Sequence, residues 1–206
     1  MTPESAALIV KLSGPSVQRV GQMLGVESVP DASFRASGNL RLEQTLLQVE
    51  DFRLDTTDMR VVAAGQLGRG PDLADSNFEA TISGQKIGSF ATLLHIPDFL
   101  EGSFEANARL VTDGSQMNSF IATARVGEVH AKLSSDHLPL SNHERSSFAL
   151  SVDGPDFAIV SPSLEGRLAE PLPFSATGNI DIEPGEVLLD EVRLVLGDAN
   201  ATLTLG

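Results

Sequence analysis

Residues 13–42 read SGPSVQRVGQMLGVESVPDASFRASGNLRL. The same skeleton returns 70 residues later, and again 70 residues after that. Gly14, Gly84 and Gly154 stand in phase, as do Phe34, Phe104 and Phe174, Ala36, Ala106 and Ala176, and Leu40, Leu110 and Ile180. The phase reaches upstream through Leu8, Phe78 and Phe148 and through Leu12, Ile82 and Val152. Downstream it holds for Phe52, Ala122 and Val192 and for Asp58, Glu128 and Asp198. Self-similarity at a fixed period is the signature of a repeat architecture, in which each unit packs mainly on its neighbours. The units are a partial strand over 1–12, then 13–82, 83–152 and a shortened 153–206, forming one body. The chain opens inside one strand-like run and closes on another, so it reads as a segment of a longer chain.

Within each unit the apolar period changes. Pro15 follows Gly14 where a helix would start, and Val17, Val20 and Leu24 then fall on one helical face. Ile87, Phe90 and Leu94 repeat that stripe; Phe157, Val160 and Leu164 repeat it with Pro162 interrupting, which predicts only a turn. These stripes read as core contacts that plug the sheet edge, or as a ligand gate. After a Pro-containing loop the period becomes two: Phe34, Ala36, Leu40 and Leu42 face one way, Arg35, Ser37, Asn39 and Arg41 the other. Gly38 sits on the apolar face and marks a close approach; Ala108 in the next unit suggests that the spot wants a small residue rather than glycine itself. Leu47 and Val49 are out of phase with Phe52 and Leu54, which predicts a β-bulge near Glu50-Asp51. Strands are expected at 6–12, 33–43, 46–54, 59–66, 77–83, 102–112, 116–126, 128–134, 147–152, 174–182, 187–196 and 199–205.

The expected fold is mainly β: an elongated antiparallel sheet of about a dozen strands curled into a trough, built from ~70-residue repeats with one short helix each. Such a sheet cannot leave its apolar face in water, and few helical residues exist to cover it. Either two halves close on each other as a sandwich, or the trough holds something apolar. Many inward positions carry only alanine (Ala36, Ala106, Ala108, Ala122, Ala124, Ala176, Ala201), and the chain has no Trp or Tyr. Small side chains fit a groove, and they also fit a thin sandwich.

The formal net charge of −14 argues against nucleic acid, which wants a basic stripe, and against attraction to anionic lipid surfaces. No run is long enough to span a bilayer, and no signal-peptide pattern opens the chain. The absence of cysteine removes any disulfide framework. His137 and His143 share a polar loop with Asp136 and Glu144, while His95 and His130 lie elsewhere; the spacing falls short of a metal site. No phosphate-cradling glycine pattern or nucleophile elbow is present, so no cofactor is expected. Asp58, Glu128 and Asp198 open strands in three separate units, which suits turn carboxylates bonding nearby backbone better than converging acid–base groups. The chain is not expected to be an enzyme.

The run from Ser13 to Leu42, followed by LLQVEDFRLDTTDMRVVAAGQLG, resembles an AsmA-like repeat, and the third copy carries the likeness as DGPDFAIV…PLPFSATGNIDI and VRLVLGDANATLTLG. The middle copy departs from it, with no Pro after Gly84 and EANARL in place of RASGNL. The resemblance implies a bacterial envelope protein, anchored in the inner membrane by a helix absent from this sequence and reaching through the periplasm. It implies a β-rich body whose hydrophobic groove carries phospholipid between the inner and outer membranes. The alternative is a scaffold that binds outer-membrane or other envelope proteins, its apolar face closed as a core. On the groove reading, the lipid acyl chains lie against Phe34, Leu40, Leu42, Phe52, Leu54, Phe104, Leu110, Phe120, Phe148, Phe174, Ile180 and Leu194.

Overall fold

The computed structural model describes residues 5–23, 31–68, 73–86, 102–113, 118–136, 146–161, 170–183 and 186–203. The strands are β1 (Ser5–Gly14), β2 (Phe34–Glu43), β3 (Leu46–Thr56), β4 (Met59–Gly68), β5 (Asn77–Gly84), β6 (Phe104–Thr112), β7 (Asn118–Val126), β8 (Val129–Ser135), β9 (Ser146–Gly154), β10 (Phe174–Glu183), β11 (Glu186–Leu196) and β12 (Ala199–Leu203). All twelve join one antiparallel meander in which each strand pairs with its neighbours in sequence. The connections explain the order, because short turns such as Gly127-Glu128 and Gly197-Asp198 leave the next strand no other place to pair.

The sheet is open and not strongly curled, and among the described residues only sequence-adjacent strands make substantial contact. The two halves therefore do not meet as a sandwich, and the expected trough is found as a broad open face. Twelve strands leave eleven spacings, which at ~4.8 Å each make a body about 50 Å long.

Cross-strand register sorts the side chains. From Gly14–Phe34 on β1 and β2 to Leu196–Ala199 on β11 and β12, the residues sharing one face carry no charge on any of the twelve strands. The opposite face holds the charges, some of them opposed across neighbouring strands: Asp55 stands between Arg35 and Arg60 in one row, and Glu105 faces Arg125 further along it, beyond Ser83. Opposed pairs of this kind stabilise a sheet by ~0.2–1 kcal/mol each. The Asp55–Arg60 bridge, at 2.6 Å, is solvent-exposed on both sides and belongs at the low end of that range.

The bulge expected near Glu50-Asp51 is present. Asp51 takes φ 51°, and the β3–β4 register shifts between Val49 and Phe52. A second bulge lies at Glu191, with φ 49°, where β10–β11 shifts between Thr177 and Asn179. Each bulge stands beside a glycine on the preceding strand, Gly38 or Gly178. A Cβ on Gly38 would fall 2.8 Å from the Phe52 Cα, so in this unit the position needs glycine itself, not merely a small residue. Between β6 and β7 the register runs without a shift, and Ala108 faces Ala122 in ordinary pairing. The residue in phase with Asp51 is there Ile121, whose branched Cβ resists a positive φ.

One end of the apolar face is capped. Helix α1 (Val17–Met23) starts where Ser16 accepts a hydrogen bond from the Arg19 amide at 3.4 Å, and Val17 is buried. The corresponding segment after β9 is one 3-10 turn, Phe157–Ile159, capped by Asp156, which accepts from the Ala158 amide at 3.0 Å. The Phe157 ring meets Phe174 edge-on at 5.6 Å between centroids. The Val17 amide donates to Ala32 at 2.8 Å, and the Phe157 amide to Leu172 at 2.7 Å. Val17 and Phe157 thus act as core contacts, whereas Leu24, Ile87, Phe90, Leu94 and Leu164 lie outside the described residues.

Replacing Gly38 by valine is expected to cost about 1–3 kcal/mol, because the added atoms strike backbone rather than a side chain that can move away. Ala108→Gly should cost only about 0.5–1 kcal/mol. Urea unfolding followed by circular dichroism checks this; equal losses at the two positions contradict the bulge assignment.

Candidate functional site

The apolar face is an uncharged surface shared by all twelve strands, and its relief follows from register. Its middle has two cross-strand rows of small residues: Ala106, Ala124 and Ala131 in one, Ala80, Ala108 and Ala122 in the next. Phe104 stands in the row toward the capped end. Phe78, Leu110 and Phe120 stand in the row toward the other end. Adjacent rows are two residues apart along each strand, ~6.8 Å. The result is a stepped strip of methyl groups, two side chains wide on β6 and β7, where Ala106 and Ala108 face Ala124 and Ala122, and one wide on β5 at Ala80 and on β8 at Ala131, beside Ile82 and Leu133. The Phe120 and Phe148 rings meet edge-on at 6.1 Å on the far side of that strip.

Register brings all twelve residues proposed to meet acyl chains onto this face. Their accessibility differs. Phe104 and Phe174 are each only 6% exposed and belong to the capped end. Leu42 is 40% exposed, and Phe34, Leu40, Phe52, Leu54, Leu110, Phe120, Phe148, Ile180 and Leu194 are half-buried. Leu8 and Leu12 share the face and are more open than any of these, at 59% and 54%. The run Leu8-Ile9-Val10 hides them from sequence reasoning, since three consecutive apolar residues give no alternation; pairing of Leu8 with Leu40 and of Leu12 with Ala36 assigns them.

The end opposite the cap is tied by a hydroxyl cluster. Ser76 Oγ accepts from the Gly68 amide at 2.9 Å and donates to the Leu73 carbonyl. Thr112 Oγ1 accepts from the Ser76 amide at 2.9 Å and donates to the same carbonyl. Leu73 and Asp75 both take positive φ, 46° and 62°, so these bonds hold a tight turn at the rim. Nothing in the alternation of β5 or β6 signals this knot.

Chemistry that would need converging polar groups is arranged differently. Asp58, Glu128 and Asp198 occupy three separate turns between β3–β4, β7–β8 and β11–β12. In the first turn it is Thr56, not the acid side chain, that makes the closing bonds found there: its hydroxyl accepts from the Met59 amide at 3.0 Å and donates to the Met59 carbonyl at 3.2 Å. His130 lies on the polar face between Arg125 and Asp153. His95, His137 and His143 lie outside the described residues. Among the described residues no cluster of three His, Asp or Glu could hold a metal ion, and no helix is long and apolar enough to cross a membrane.

No protein family, no curated protein and no solved structure matches this chain at a significant level.

Removing the Thr112 hydroxyl with Thr112→Val should leave the Ser76 amide without its acceptor, at a cost of about 1–3 kcal/mol. Urea unfolding measures the loss. Amide exchange at Ser76 should speed up in parallel, and an unchanged Ser76 rate places the rim's stability elsewhere.

Proposed function

We propose that this chain is a periplasmic segment of an inner-membrane-anchored envelope protein, built of ~70-residue AsmA-like repeats, whose apolar face carries phospholipid between inner and outer membranes. One observation carries the lipid part of the reading: a face without charge runs across twelve paired strands, and among the described residues no second layer closes it. Acyl chains are the apolar cover that suits such a face, since each methylene laid against it is worth about 0.8 kcal/mol. The compartment and the anchor rest on the resemblance of the quoted repeat.

Transport on this reading is passive. The methyl strip offers similar contacts from strand to strand, so a chain can move along it without leaving one deep well. Headgroups stay in water outside the apolar face. No nucleophile, cofactor or metal takes part.

The scaffold reading needs the apolar face shut against itself or against a protein, and the open sheet disfavours the first of these. The test begins with mass spectrometry of lipids extracted from protein purified without detergent from a bacterial host. Phospholipid is expected in stoichiometric amount. The triple variant Leu40→Asp, Leu110→Asp, Ile180→Asp, checked for folding by circular dichroism, should retain at least about tenfold less, equivalent to ~1.4 kcal/mol or more of lost contact. Folded wild-type protein free of lipid overturns the track and leaves the scaffold.

A further inference from the structure

Three strands carry one pattern of side-chain size. Reading from the capped end, β2 places Phe34, Ala36, Gly38 and Leu40 on the apolar face. At the 70-residue period β6 places Phe104, Ala106, Ala108 and Leu110 there, and β10 places Phe174, Ala176, Gly178 and Ile180. Each reads large, small, small, large. On β7 the partners of the second set repeat it: Ala124 faces Ala106, Ala122 faces Ala108 and Phe120 faces Leu110. On these strands the face is a trough of small residues between two ridges. The ridge at the capped end is covered, with Phe104 and Phe174 each 6% exposed. The other ridge, which holds Leu40, Leu110, Phe120 and Ile180, is only half-buried.

Trough and open ridge complement each other. Consider a second copy turned end for end, about a two-fold axis that lies across the strands above Gly38, Ala108 and Gly178. Leu110 then stands over Ala106 of the other copy and Phe120 over its Ala124, and the same holds for Leu40 over Ala36 and Ile180 over Ala176. The smallest residues meet on the axis. The two caps fall at opposite ends of the pair, whereas an axis along the strands would set cap against cap and ridge against ridge. The face measures about 50 Å by about 27 Å, roughly 1,300 Å² per copy, against ~800 Å² per partner in a standard interface. No charged side chain of the twelve strands lies on it, so closure leaves no charge buried.

We propose that two copies of this chain pair apolar face to apolar face, as an isologous two-fold dimer, when no lipid lies there. The contact is centred on the middle strands and makes no use of either outer edge of the sheet. Acyl chains and the second copy compete for one surface, so loading with lipid separates the copies by mass action. The pairing does not rest on the lipid reading, because an empty face has the same apolar area to bury.

The test strips the full chain of lipid in detergent, removes the detergent and follows the mass by sedimentation equilibrium. A dimer of twice the 21.8 kDa chain is expected. Ala106→Leu makes the face more apolar but fills the trough, and should weaken pairing at least about tenfold. Adding Leu110→Ala to that variant should recover most of the loss. Ala108→Cys, on the axis, should cross-link to itself through a short bis-maleimide, and Thr123→Cys, on the opposite face, should not; the chain has no cysteine of its own. Ala106→Leu pairing as tightly as wild type overturns the ridge-in-trough register. Phospholipid in the protein as purified, followed by a monomer after stripping with circular dichroism unchanged, overturns the pairing and leaves the lipid reading standing. A dimer purified free of lipid supports the pairing and counts against the lipid reading.

Discussion

Parity governs this structure. Side chains on a strand alternate faces, so a pairing slip of one residue turns every side chain of that strand to the wrong side. Over twelve strands the chain makes no such error: no charged residue reaches the apolar face on any of them. The bulges at Asp51 and Glu191 serve that end. In β3 the apolar positions are Leu47, Val49, Phe52 and Leu54, and the extra residue at Asp51 restores their common face. Two carboxylates accept a left-handed backbone there, at a cost of roughly 1–2 kcal/mol each. Without the bulges half of each strand would present its charges to the apolar side. In β7 the apolar residues already alternate from Phe120 to Val126, and no bulge is found.

A second constraint acts at the capped end. Gly14, Gly84 and Gly154 each lie beneath the edge of a phenylalanine ring on the next strand, Phe34, Phe104 and Phe174, with the ring where a Cβ would stand. The three contacts fix where the strand after each long connection enters the sheet. A chain returning from a detour of many residues must find its register again, and a ring seated on a glycine offers one position for doing so. Beyond this row the described connecting segments are tight turns, helix α1 and the Phe157–Ile159 turn, and Phe104 and Phe174 are buried there.

The strands were legible from alternation, and so was the first bulge, because both are consequences of period two. The phase break at Glu50-Asp51 sits in the sequence as plainly as in the backbone. The requirement at Gly38 was only half legible: comparison with Ala108 suggested tolerance for a small side chain, whereas the two positions have different pairings, one beside a bulge and one not. The Ser76–Thr112 knot was invisible, since its bonds join residues whose proximity depends on β4, β5 and β6 already being assembled. The overall curvature was misjudged for a related reason. Alternation tells which side chains share a face, but twist and closure depend on how many strands pair and on what covers them. The open outcome follows from a meander in which, among the described residues, strands pack only on their sequence neighbours.

The open apolar face and the charged face opposite it are consequences of the same parity. The charges of the opposite face keep the sheet in water on that side, and they leave the uncharged face as the surface with most to gain from contact. Alanine methyl groups occupy its middle on β6 and β7, and phenylalanine rings border them, so its relief is broad and stepped.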